Sequence, residues 1–80
     1  MSSDEAVELA GGNPLLCPDG LDDAIVGVAF RDNVWVAVYS VDKVYEELVK
    51  HMTPDEAEEH FAYNIEGGWV GPRTPIWMRP

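Results

Sequence analysis

Cysteine is nearly absent from this 80-residue chain, with Cys17 alone. An intramolecular disulfide is therefore impossible, and a zinc site built on four cysteines is excluded. Basic residues are also scarce: five Lys and Arg stand against fifteen Asp and Glu, for a formal net charge of -10. Lys43, Lys50, Arg31, Arg73 and Arg79 are scattered along the chain. Such a balance repels nucleic acid and anionic lipid, so no direct nucleic-acid partner is expected. Long apolar runs are missing too. The longest, Ala24 to Phe30, is far too short to span a bilayer, and no basic segment followed by an apolar run opens the chain. The expected location is cytoplasmic, with no membrane partner.

What is present suits one small soluble domain. Residues 1–14 read as a flexible acidic arm, because Asp4, Glu5 and Glu8 sit among few large apolar groups before Gly11-Gly12-Asn13-Pro14. Residues 15–80 read as a single α+β domain. A chain this short commonly gains only about 3–5 kcal/mol of net stability from its core. With disulfides excluded, self-association is the remaining common reinforcement. The acidity reads as a solubilising surface or the composition of the host proteome, or else as a surface that mimics a phosphate backbone.

Cys17-Pro18-Asp19-Gly20 has the residue types of a tight turn. Ala24 to Phe30 and Val34 to Tyr39 are rich in Val, Ile and aromatic residues and flank Arg31-Asp32-Asn33, a β-hairpin signal. With Asp32-Asn33 as a two-residue turn, Phe30 faces Trp35, Val28 faces Ala37 and Val26 faces Tyr39. The opposite side carries Gly27, Ala29, Val36 and Val38. Both faces are apolar, so both need cover. Asp42 is a plausible N-cap for a helix to about His51, with Val44, Tyr45, Leu48, Val49 and Met52 as its core stripe. Thr53-Pro54-Asp55-Glu56 is a strong start signal for a second helix reaching about Glu66 and stopping at Gly67-Gly68. Ala57, Phe61 and Ile65 point inward on it. Thr74 to Met78 then returns as a short edge strand, where Pro75 is tolerated. The expected order is β-β-α-α-β, with the helices forming an αα corner.

The run Gly20-Leu21-Asp22-Asp23-Ala24, the stretch Thr53-Pro54-Asp55-Glu56-Ala57 through Phe61 and Asn64, and then Gly68-Trp69-Val70-Gly71 with Thr74-Pro75 carry a resemblance. The chain resembles a group of small uncharacterised proteins from tailed bacteriophages and prophages. Their pattern is an acidic "EEA…FxxN" helix followed by a "GxWxG…TP" tail. The resemblance covers about Gly20 to Met78 and implies a host-cytoplasmic setting. It implies no reaction, and the N-terminal arm and Arg79-Pro80 depart from the pattern.

No complete catalytic set is visible, and the reading is a non-enzymatic protein acting through a host or phage protein partner, or as a homodimer. Candidate anchors are Trp35, Tyr39, Trp69 and Trp77, since aromatic residues fill cores but also dominate interfaces. Asn64 is expected near the inward face, its amide tying down the Gly67 to Gly71 backbone. Cys17 as a nucleophile would need a base beside it. Two alternatives stay open. One is an acidic mimic that occupies the nucleic-acid groove of a host enzyme. The other is a small metal-dependent enzyme using Glu56 and His60, which share a helix face at i,i+4, with His51 nearby. No cofactor is expected.

Overall fold

A computed structural model describes every residue except Asp19, Trp69 and Val70. The elements run α1 (Ser3–Leu9), a 3-10 turn (Asp22–Ala24), β1 (Ile25–Arg31), β2 (Val34–Ser40), α2 (Val41–Leu48), α3 (Pro54–His60), a π-helical turn (Phe61–Glu66) and β3 (Ile76–Met78). This is the expected small α+β architecture with the β-β-α-α-β order, preceded by one additional helix.

The hairpin turns where Asp32-Asn33 places it. Both residues take left-handed φ values, 51° and 66°. Asn and Asp tolerate that region, and a turn with two positive φ values matches the twist of the flanking strands. Phe30 pairs with Trp35 and Val28 with Ala37 as the alternation dictates, but Tyr39 pairs with Ile25 rather than Val26. The ladder shifts between Ile25 and Gly27, leaving Val26 as the extra residue of a β-bulge and 39% exposed. Ile25 thereby enters the core at 2% exposure.

The third strand joins β2, not the free edge of β1, so β2 is central and the sheet order is β1-β2-β3. Its pairing is parallel, Val38 with Ile76, Tyr39 with Trp77 and Ser40 with Met78. A parallel neighbour requires a crossover, which the two helices provide. Pro75 lies just before the ladder, where its missing N–H costs nothing.

β2 runs into α2 without a loop. Ser40, not Asp42, caps the helix, its Oγ accepting the Lys43 N–H at 3.4 Å, and Asp42 falls in the first turn. The earlier start buries Val41, while the helix ends at Leu48 and leaves Val49 exposed. At α3 the Thr53 hydroxyl accepts the Glu56 N–H and the Glu56 carboxylate accepts the Thr53 N–H, both at 3.2 Å. This reciprocal pair satisfies two donors that a helix start otherwise leaves open. The helix reaches Glu66 as expected, but from Phe61 onward its turns widen, and the Gly67 N–H bonds the Ala62 carbonyl five residues back at 3.0 Å. Close approach explains the glycines that follow. A Cβ at Gly67 would meet the Ala62 carbonyl oxygen at 2.6 Å, and one at Gly68 the Asn64 carbonyl oxygen at 2.7 Å.

Residues 1–14, read from sequence as a flexible arm, instead contain α1, docked along β1 through its small residues. Ala6 and Ala10 are fully buried, Ser2 and Glu5 form a capping box, and the Ser3 N–H donates to the Asp22 carboxylate at 3.2 Å. Few large apolar groups are needed where two alanines let a helix lie close to a strand.

Ala6, Val41, Val44, Leu48, Ala57, Phe61 and Ile65 from the helical segments gather with Ile25, Ala37 and Tyr39 in one core cluster. The helices thus line the inner face of the sheet. Trp77 packs at 5.0 Å from Tyr39 and edge-on to Phe61 at 5.5 Å, and Tyr45 meets Phe61 at 5.3 Å, so the crossover is sealed by aromatic contacts. Beyond β3, Arg79 pairs with Glu66 at 2.7 Å and lies 5.8 Å from the centre of the Phe61 ring, fastening the C-terminal strand to the π-helical turn. No helix among the described residues is long and apolar enough to cross a membrane.

Candidate functional site

The candidate anchors separate into core and surface. Tyr39 is fully buried and has no aromatic face to offer a partner, while Trp77 packs against the same cluster and stays partly exposed. This corrects the expectation for Tyr39, which the bulge and the parallel strand enclose from both sides. Trp35 is half-buried near the hairpin tip, braced edge-on by Phe30 at 5.3 Å, and Phe30 itself is 55% exposed. Trp69 lies outside the described residues.

The pleat sends Gly27, Ala29, Val34, Val36, Val38, Ile76 and Met78 to the outer face. None belongs to the core cluster. Val36 is completely buried, the others are partly exposed, and Met78 is 48% exposed. Arg31 crosses this face. At the end of β1 it pairs with Val34 of β2, yet its guanidinium donates at 2.6 Å to the Thr74 carbonyl, two residues before Ile76. The side chain therefore reaches from β1 past the middle strand to the segment before β3, with its charge on a backbone carbonyl. The sequence places Arg31 at the hairpin turn and among the scattered basic residues, and gives no sign of this strap beyond one cation ending a strand otherwise apolar on both faces.

Around the corner between α2 and α3, His51, Met52, Glu56, Glu59, His60, Tyr63 and Asn64 line an open groove of about 470 Å³. The sequence-predicted pair Glu56 and His60 does share this surface. Each already has a neighbour: Glu56 closes the capping box, whose hydrogen bonds hold its carboxyl below the ordinary range, and His60 Nδ1 lies 3.4 Å from the Asn64 amide nitrogen. Among the described residues no three His, Cys, Asp or Glu side chains stand together as a metal-ligand set. Asn64 is exposed and contacts His60, not the glycine backbone, because the widened turn directs Phe61 and Ile65 inward and leaves 62–64 outside. Tyr63, the most exposed large hydrophobic residue among the described residues at 77%, stands beside Asp55, Glu58 and Glu59.

Cys17 is half-buried against the core. Burial pushes its thiol up, an effect reinforced by the Asp22 carboxylate and opposed by Tyr39. A thiol held protonated is a poor nucleophile. Neither histidine is brought to it: both line the groove at the α2–α3 corner, and the thiol's polar neighbours are Tyr39 and Asp22.

No family model, curated protein or solved structure matches the chain. Its functional reading rests on the geometry of these surfaces.

Proposed function

We propose that this is a non-enzymatic accessory protein of a tailed phage or prophage, working in the host cytoplasm by protein–protein binding, with a second copy of the chain on the outer face of its sheet. The phage setting rests on the resemblance of the α3 and tail motifs. The binding role rests on one observation: Gly27, Ala29, Val38, Ile76 and Met78 share one face of the sheet and are each at least partly exposed, while the cluster that holds the helices lies on the other face.

Charge argues for a second copy as the occupant. Two chains of net charge -10 repel over most approaches. The outer face carries one charged side chain, Arg31, whose guanidinium is already bonded to Thr74. Two such faces meet without opposing carboxylates. Small side chains at Gly27 and Ala29 keep one edge low, which suits the face-to-face packing of sheets at about 10 Å. Symmetric pairing would supply the apolar burial that a short chain without disulfides cannot complete alone.

Light scattering on the full chain over a concentration series tests this reading. The expected mass is twice that of the 8.9 kDa chain at high concentration, falling on dilution. Val38→Glu, which places a carboxylate in the middle of the face, is expected to remain folded and monomeric. A wild-type chain that is monomeric throughout, or a Val38→Glu variant that still dimerises, overturns the proposed occupant.

A further inference from the structure

A second surface lies at the hairpin tip and is independent of the dimer reading. Asn13 and Pro14, from the segment after α1, meet Asn33, Val34 and Trp35 of the hairpin and Arg73 of the loop before β3 around a cavity of about 170 Å³. It is more enclosed than the grooves on α3. Three stretches distant in sequence converge here, and each is held in place. Asn13 donates its side-chain amide to the Ala10 carbonyl at 2.6 Å. Asn33 is fixed in the left-handed turn, and Phe30 braces Trp35. Arg73 sits within a turn in which the Thr74 N–H and hydroxyl both donate to the Gly71 carbonyl, at 3.2 and 2.8 Å. The Arg31 strap ties the carbonyl of Thr74 to the sheet from the other side.

The lining has a definite chemistry. Arg73 takes part in neither ion pair found among the described residues. A guanidinium presents parallel N–H donors that match the two oxygens of a carboxylate. Asn13 and Asn33 add amide groups beside it, while the Trp35 ring, Pro14 and Val34 form apolar walls. With about 30 Å³ per water-sized group, the space takes roughly five or six heavy atoms. One cation in a chain this acidic favours a monoanion over a phosphate dianion, whose second charge would meet the field of the whole molecule without a second partner.

We propose that this cavity binds a monocarboxylate with a short apolar stem, its oxygens on Arg73 and its stem against Trp35. A small metabolite and the C-terminus of a peptide both present this group.

Heteronuclear NMR titration of the full chain tests the assignment, with the indole N–H of Trp35 and the side-chain amides of Asn13 and Asn33 as reporters. Sodium propionate is expected to shift them saturably, whereas propionamide, its neutral isostere, and inorganic phosphate are not. Arg73→Gln is expected to weaken propionate at least fivefold with the remaining spectrum unchanged, and Arg73→Lys to fall between the two. A tripeptide ending in alanine, with its C-terminus free or amidated, separates the sources: saturation by the free peptide below the propionate range assigns a peptide terminus, and the reverse assigns a small acid. Equal shifts with propionamide or phosphate, linear shifts without saturation, or an unaltered response in Arg73→Gln overturn the proposal. The dimer test uses Val38 and a different readout, so either reading can fail alone.

Discussion

Tyr39 carries a hydroxyl that its surroundings hardly use. The side chain is fully buried, its oxygen has no hydrogen-bond partner at close range, and its one polar neighbour, the Cys17 thiol, is a weak one. A buried polar group left unpaired costs about 1–3 kcal/mol, whereas the ring itself is fixed by Trp77. Tyr39→Phe keeps the ring and removes that cost, so the variant is expected to be more stable than wild type by about 1 kcal/mol in urea unfolding. A loss of similar size would mean that the hydroxyl has a strong partner in solution. The same burial sets the alkaline behaviour. Desolvation raises Tyr39 above its ordinary value of 10.0 and Cys17 above 9.0, so the fold favours both neutral forms. Their contribution is complete below those ordinary values and is lost as pH rises beyond them, because the unfolded chain ionises first. Stability should therefore decline from about pH 9 upward, less steeply in Tyr39→Phe. Alternation alone put Tyr39 on the right face but opposite the wrong residue, since nothing local announces that Val26 is surplus.

Elements whose signals are local were legible in detail. The Asp32-Asn33 turn supplies its own left-handed residues, and Thr53-Pro54-Asp55-Glu56 contains both partners of a capping box. Where the outcome depends on a distant contact, legibility fails. Asp42 has the right chemistry for a cap, but β2 runs straight into α2 and leaves Ser40 at the boundary. Asn64 falls on the inward face of a regular helix only if the spacing stays at 3.6 residues, and the π-helical turn breaks it. The capping box offers a direct test at this scale. Thr53→Ala removes the hydroxyl that accepts the Glu56 N–H and is expected to cost about 1 kcal/mol in thermal or urea unfolding at neutral pH. Glu56 adds a pH signature, since its hydrogen bonds to Thr53 lower it from 4.5. A lowered carboxyl contributes stability above its unfolded value, and that contribution is lost as pH falls through the folded one. Glu56→Gln should therefore trail wild type above about pH 4.5 and converge with it in stronger acid. A constant gap between the two would assign the loss to packing instead of charge.

For the molecule as a whole, the α+β class and the order of elements followed from periodicity, but the parallel docking of β3 did not. Thr74 to Met78 reads as an edge strand in either direction, and the choice of β2 as its neighbour is made by Trp77 meeting Tyr39 and Phe61, contacts between residues far apart in sequence. The hairpin tip was likewise invisible, because Asn13, Trp35 and Arg73 have no common motif and meet only through the crossover. Net charge acts on the whole assembly at once. Fifteen acids stand against five bases, and two ion pairs are found among the described residues, so negative charge dominates the molecule. Self-repulsion of this kind favours the expanded chain, and ions screen it over about 10 Å at 0.1 M salt. Raising sodium chloride from about 10 mM to about 150 mM should stabilise the fold by on the order of 1 kcal/mol, or roughly 4–8 °C in Tm for a domain of this size. Dimerisation through a face free of carboxylates would steepen the effect, because screening also lowers the repulsion between copies. Val38→Glu separates the two contributions: its salt dependence should retain the intramolecular part and lose any dependence on protein concentration. A Tm that falls with salt would mean that attractive pairs, and not repulsion, dominate the surface.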